Sequence, residues 1–441
     1  MKVKHFLLLL LFGVVSVCYA QSKKIDFTEY NLDNGLHIIL HQNMSTPIVA
    51  VSVLYHVGSK NEQANRTGFA HFFEHLMFEG SPNIKRGEFM KIVQNNGGEL
   101  NANTTQDRTY YYDILPSNQL ELGLWLESER MDHLKIDSIG VETQRKVVKE
   151  EKKQRLDNQP YGTVLQETFK HAYKVHPYRW VPIGSDQYID KATLHEFKAF
   201  HKEFYVPNNA VLTIVGDINI DQTKKWVQKY FGTIPRGTEK IYRPSVVEPP
   251  QTAEVRDTVY DNIQLPLVLF AYHIPKENSV DAYALDMLTT LLSKGKSSRM
   301  YKSLVDKQQV ALQAGAFPLA LEDPGLFLTF AVANAGKTGA ELEKAMDAQI
   351  NLVVNNKISN KEFEKLRNQE EGSFINSNST DAGVAASLSN YYVFYHNTNL
   401  INTELDKYMA VTKEDIQRVA KKYLTKQNRV VLYYLPKSIK K

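Results

Sequence analysis

One helix–turn–strand unit is written twice in this chain, and that duplication limits the fold more than any other feature. The segment Thr193–Val215 (TLHEFKAFHKEFYVPNNAVLTIV) parallels Thr412–Tyr434 (TKEDIQRVAKKYLTKQNRVVLYY) at an offset of 219 residues. In both copies a Thr opens an amphipathic helix, an aromatic residue closes it, and a polar turn leads into an apolar strand. A second match pairs Tyr55-His56 with Tyr272-His273, each at the end of an apolar, β-branched run, at an offset of 217. Two separated matches at nearly equal offsets predict two homologous lobes. The length of 441 residues agrees, since it exceeds what one ordinary core supports. The stretch Pro235–Pro250, rich in Pro and charge, falls where a connection belongs. The expected division is a first lobe over residues 21–240, a linker over 241–250 and a second lobe over 251–441.

Local patterns give the class of each lobe. Ile25–Leu40 reads as a hairpin turning at Asp33-Asn34-Gly35, Ile48–Val57 as a strand, and Arg108–Leu115 as a strand with an aromatic patch. Gly68–Phe78, Gly87–Gln94, Asn118–Asp132 and Ile139–Leu156 read as helices. The mixture predicts an α+β fold of two homologous lobes, each a mostly antiparallel sheet with helices packed on one face.

Composition narrows the chemistry. A formal charge of +4, from 53 basic and 49 acidic residues, gives no footprint for nucleic acid. A single cysteine excludes an internal disulfide framework and any cysteine-based metal cluster. Any metal must therefore be held by imidazole and carboxylate. Lys2 and Lys4, an apolar run from Phe6 to Val17 and a small residue at Ala20 read as a cleaved secretory signal over residues 1–20. The alternative is a retained anchor, although the run is short for a membrane span. Cleavage would discard Cys18 and deliver an exported, periplasmic or otherwise extracytoplasmic protein. No later stretch approaches the length of a stable membrane span.

The most informative segment is His71-Phe72-Phe73-Glu74-His75. Positions four apart lie on one helical face, so His71 and His75 present both imidazoles to one metal ion. Glu74 lies beside that face, within reach of a water on the metal. This is H-x-x-E-H, the inverse of the commoner zinc-protease helix. Two ligands do not complete a catalytic zinc site. The run Arg145-Lys146-Val147-Val148-Lys149-Glu150-Glu151 supplies a carboxylate pair, of which only one can face the metal because neighbours on a helix stand about 100° apart.

GFAHFFEHLMFEGS, followed by QRKVVKEEKKQRLDNQPYG, resembles the insulinase/pitrilysin family of zinc proteases in its short, two-lobed form. The resemblance extends to GGELNANTTQDRTYYY, to HPYRWVPIGS and to the duplicated lobe. It implies one zinc ion per chain, with His71, His75 and Glu151 as ligands and Glu74 as the catalytic base. Manganese or cobalt could substitute for the zinc. It also implies that a peptide substrate lies along an edge strand at Leu100, Asn101, Ala102, Asn103 and Thr104, held by main-chain bonds. The family often carries a Glu seven residues before the third ligand, where this chain has Gln144.

The second lobe departs further. At the offset of 217, Leu288, Leu291 and Leu292 stand where the first lobe has His71, Glu74 and His75. Family members also carry an Arg and a Tyr seven residues apart in this lobe; the matching positions here are Val305 and Leu312. Arg299 and Tyr301 are near but at the wrong spacing. The resemblance therefore implies a dimer, either of two copies or with a homologous Arg/Tyr-bearing chain that completes the enzyme; the alternative is a chain that manages without the pair. The resulting expectation is an exported zinc metalloendopeptidase acting on unfolded or short peptides. The rival is a noncatalytic scaffold or peptide-binding subunit.

Overall fold

The computed structural model describes residues 24–439. The segment expected to be a signal, with Cys18, lies outside the described residues. The eleven strands among those residues are β1 (Thr28–Asn31), β2 (His37–Gln42), β3 (Ile48–Tyr55), β4 (Glu99–Thr104), β5 (Thr109–Pro116), β6 (Ala210–Gly216), β7 (Val255–Asp261), β8 (Leu267–His273), β9 (Ala311–Leu319), β10 (Leu326–Ala333) and β11 (Arg429–Pro436). They form two sheets, ordered β1-β2-β6-β3-β5-β4 and β7-β11-β8-β10-β9. Apart from β1, the second order repeats the first strand for strand. Each sheet has one parallel pair, β2 with β6 and β7 with β11, and is otherwise antiparallel.

Register carries the duplication down to single residues. Tyr55 pairs with Ala210 in the first sheet, and Tyr272 pairs with Arg429 in the second. These partners stand at the offsets of 217 and 219 read from the sequence. The described helices are α1 (Phe69–Leu76), α2 (Phe89–Asn95), α3 (Leu120–Asp132), α4 (Ser138–Lys152), α5 (Val164–Ala172), α6 (Asp186–Lys191), α7 (Leu194–Phe204), α8 (Ile220–Phe231), α9 (Ala282–Ser293), α10 (Gly339–Asn355), α11 (Asn360–Ser377), α12 (Asp381–Tyr395), α13 (Leu400–Ala410) and α14 (Lys413–Tyr423). The repeated Thr caps the repeated helix in both copies. Thr193 accepts from Glu196 N and Thr412 from Asp415 N, and each acid reaches back to close a capping box.

The fold is α+β, with two lobes, as the sequence predicts. In the first, α1, α3, α7 and α8 bury Phe72, Leu124, Phe197 and Val227 against one sheet face. In the second, α9, α10 and α14 bury Leu288, Met346 and Val419 in the same way. The remaining face of each sheet is closed by an exchange between the halves. Helix α12, from the C-terminal half, lies on β3 and β6, packing Ala385 and Leu388 against Leu54, Val211 and Val215. Helix α5, from the N-terminal half, lies against β8 and β11, packing Phe169 and Ala172 against Leu269, Ala271 and Leu432. Each lobe thus completes the other's core. No described helix is long and apolar enough to cross a membrane.

Leu388 is fully buried in the exchanged contact. Leu388→Ala is expected to cost about 2–5 kcal/mol through lost burial and a residual cavity. The check is a chemical denaturation midpoint, which should fall although no residue of α1 has changed.

Candidate metal centre

Helix α1 is short, and its sequence alone would not hold it in one place. Its apolar side does so. Phe72, Phe73 and Leu76 are completely buried, with Phe72 stacked 4.5 Å from Phe197 and Phe73 4.9 Å from Tyr205 between ring centres. Tyr111 Oη donates to the carbonyl of Phe73 at 3.1 Å. At the N-terminus Gly68 takes φ +99°, a left-handed conformation that favours glycine, and a Cβ there would press on the Ile183 carbonyl at 3.0 Å. The Glu62 carboxylate then accepts from the N–H groups of Gly68 and Ala70, each at 2.9 Å, two donors that the helix itself leaves free. With the apolar side fixed, the other side can only present His71, Glu74 and His75.

Helix α4 brings the third group. Glu151 Oε2 lies 3.0 Å from His75 Nε2 and 3.6 Å from His71 Nε2. One ligand atom from each of the three residues falls within 4.8 Å of the others. Glu150, beside it, faces solvent with Gln154 and Lys153. Of the adjacent pair, Glu151 is the carboxylate that stands beside the two imidazoles. Glu151 Oε2 is buried and receives no hydrogen bond aligned on it, and His71 Nδ1 is likewise without a partner. Burial first, and then the neighbouring His75, lower His71 to about 4, which leaves its imidazole neutral at pH 7 and able to ligate. The His75 imidazole, outweighing burial, holds Glu151 below the usual carboxylate range. Two imidazoles and a carboxylate oxygen converging on one point fit zinc.

Glu74 stands beside this cluster and is mostly buried. Burial raises its carboxyl above the ordinary value, opposed by a 2.6 Å bond that Glu74 Oε2 accepts from Thr104 Oγ1. Thr104 ends β4, the outermost strand of the first sheet. All five residues expected to line the substrate, Leu100 to Thr104, lie on that strand. Along it Asn101 and Asn103 are exposed, whereas Leu100 and Ala102 pack against the core. The edge strand and the candidate base are thus joined by one hydrogen bond.

Two further groups escaped the sequence reading. Gln144, noted only as a departure, donates to Glu79 Oε1 at 2.6 Å. Glu79 is buried just past the end of α1, its other oxygen meets Arg86, and Arg86 Nη2 reaches Asp137, the cap of α4, at 2.8 Å. An amide at 144 thus suits a carboxylate at 79 and ties α1 to α4. Arg155, four residues after Glu151, places Nη1 3.0 Å from Glu151 Oε1. That spacing was readable as a helical neighbour.

The second lobe keeps the scaffold and loses the donors. Leu288, Leu291 and Leu292 are buried on α9, and Glu370, at the offset of 219 from Glu151, bonds Thr290 instead. Val305 packs against the second core, Leu312 is exposed, and Arg299 is engaged by Glu362 through two bonds of 3.0 and 3.1 Å. None of these offers an Arg/Tyr pair to the first lobe.

Comparison with known proteins gives the family. The family profile described as "Insulinase (Peptidase family M16)" matches residues 37–179, and that described as "Peptidase M16 inactive domain" matches residues 191–370. The zinc protease PqqE of Helicobacter pylori is 33% identical over 444 residues, covering 98% of this chain and all of its own. The chain belongs to the insulinase family, peptidase family M16. Among solved M16-like structures, a protease from Helicobacter pylori superposes with a TM-score of 0.90 at 32% identity, over 94% of this chain and 100% of its own. The periplasmic protease PqqL of Escherichia coli gives 0.76 at 17% identity over 95% of this chain and 48% of its own, a likeness of fold. The ligand cluster falls in the segment matched by the insulinase profile, and the leucine-faced helix in the segment matched by the inactive-domain profile.

In this M16 chain, Gln144→Glu would set a second carboxylate against buried Glu79. The substitution is expected to destabilise by about 1–3 kcal/mol, through a lost hydrogen bond and unfavourable burial of charge. Thermal unfolding of the two proteins at pH 7 checks it.

Proposed function

We propose that this chain is an exported zinc endopeptidase that hydrolyses unfolded or short peptides, and that it is the zinc-bearing subunit of a pair. The observation that carries the reading is the convergence of His71, His75 and Glu151, with Glu74 beside them and bonded to the edge strand. Zinc held there would supply Lewis acidity to a peptide carbonyl and acidify a water molecule. The chain's own residues do the rest. Strand β4 receives an extended peptide by adding it to the sheet edge, so affinity comes from main-chain bonds and depends little on side chains. Glu74 takes the proton of the attacking water and passes it to the leaving amine. Its partial burial supports this role, because burial raises the carboxyl above its ordinary value and so makes it a better proton acceptor. Thr104 aims the carboxylate and at the same time fixes the end of the strand that receives substrate.

Export rests on the basic and apolar N-terminal sequence with its small residue at Ala20. The need for a partner rests on Val305 and Leu312, which bring no polar group, and on Arg299, which is already paired. A homologous chain bearing an Arg/Tyr pair would provide the missing contacts to substrate. The same absence favours the rival, a peptide-binding subunit that does not cleave, so metal and turnover must be measured together.

Glu74→Gln is expected to keep one zinc per chain and to lose turnover of an unfolded peptide by about 10²–10⁴-fold. Metal analysis beside a fluorogenic peptide assay reads both. A zinc-free wild-type protein, or unchanged turnover in the variant, would refute the enzyme reading. The pairing is tested separately: the purified chain alone should cleave slowly, and adding a homologous chain with the Arg/Tyr pair should raise the rate. Full activity as a monomer would remove the need for a partner.

A further inference from the structure

The turn between β9 and β10 leaves the second lobe and is gripped by the first. Glu322 Oε2 accepts from His56 Nε2 at 2.8 Å and from Lys60 Nζ. Lys60 is almost wholly buried, and its Nζ also lies 3.0 Å from Asp107 Oδ1 and 3.4 Å from Asp323 Oδ2. The backbone of the turn is held as well. Glu322 N donates to Asp107 Oδ2 at 3.1 Å, Asp323 N donates to Tyr178 Oη at 3.0 Å, and Tyr173 Oη donates to the Pro324 carbonyl at 2.8 Å. Tyr178 Oη in turn donates to Asp107 Oδ1 at 2.6 Å. Every partner named comes from the N-terminal half of the chain, and two of them, Tyr173 and Tyr178, also pack in the cluster beneath the second sheet.

What the first lobe gains is a fixed approach to the metal helix. Lys60 sits in a single helical turn, Ser59–Asn61, and Glu62 follows directly as the carboxylate that accepts from Gly68 N and Ala70 N. His71 is the next residue. The same turn docks on the β4–β5 connection, with Ser59 N donating to the Thr105 carbonyl at 3.2 Å and Lys60 N to the Gln106 carbonyl at 2.9 Å. Thr104, which bonds Glu74, is the residue before. Burial alone would raise Glu322, but the hydrogen bond from His56 and the charge of Lys60 hold it at about 2, so it is ionised when it meets Lys60. A buried ion pair of this kind adds little net stability but makes other arrangements costly, since either partner left alone is an uncompensated charge.

We propose that Glu322 and Asp323 are positioning residues: through Lys60 and Asp107, this acidic turn of the metal-free lobe sets the N-terminus of α1 and the end of β4. The proposal rests on the metal-site reading only for its catalytic consequence. The second lobe is then a brace for the site in the first, and its retention without ligands has a physical reason.

The test uses the full chain carrying Glu322→Gln and Asp323→Asn, which keep shape and remove charge. Amide hydrogen exchange in the zinc-free protein should rise roughly tenfold over residues 62–76 and 99–105, with α8 and α10 unchanged. The zinc dissociation constant, read by chelator competition, should rise by a similar factor. Exchange over 62–76 equal to wild type would overturn the proposal. So would faster exchange spread equally to α8 and α10, which is general loosening. A wild-type chain that takes up no zinc would defeat the metal reading, while the exchange pattern would still decide the brace.

Discussion

The burial of Phe72, Phe73 and Leu76 is the constraint on which the rest depends. An eight-residue helix is marginal by itself, and nothing in its backbone fixes its rotation. Three fully buried side chains do, and they leave His71, Glu74 and His75 a single direction to face. Gly68 and Glu62 then fix where the helix begins, and Tyr111 ties its middle carbonyl to β5. Once that helix is rigid, one carboxylate from α4 completes a three-point site. The Glu79–Gln144 bond and the Arg86–Asp137 pair keep α4 at the required distance.

Duplication supplied the scaffold, and divergence supplied the asymmetry. The two sheets share strand order, parallel pair and register, so the second lobe had the same opportunity to hold a metal. Leucines now fill that face, and Glu370 has turned to Thr290. The lobes remain inseparable nonetheless. Each lends a helix to the other's sheet, α12 in one direction and α5 in the other, and the β9–β10 turn is bound by Lys60 and Asp107. A chain cut between its halves would expose two apolar sheet faces.

Much of this was legible because it is periodic or local. The H-x-x-E-H spacing, the repeated capping Thr and the Asn-Gly turn each express their geometry within a few residues. Glu151 was different. Local spacing left it equal to Glu150, and only the resemblance separated them before the packing of α4 did. Gln144 looked like a loss because its partner, Glu79, lies 65 positions away. The exchanged helices were hidden for the same reason, since an amphipathic pattern names a buried face without naming what buries it.

By itself, the sequence determined that two similar α+β lobes would form, that one would carry two imidazoles and a carboxylate on one helical face, and that the other would carry leucines there. Those properties follow from side-chain chemistry at fixed local spacing. Tertiary structure decided which glutamate meets the histidines, that Thr104 holds Glu74, and that the acidic turn at Glu322 reaches the first lobe. Each of these is a contact between residues distant in the chain, set by how whole elements pack.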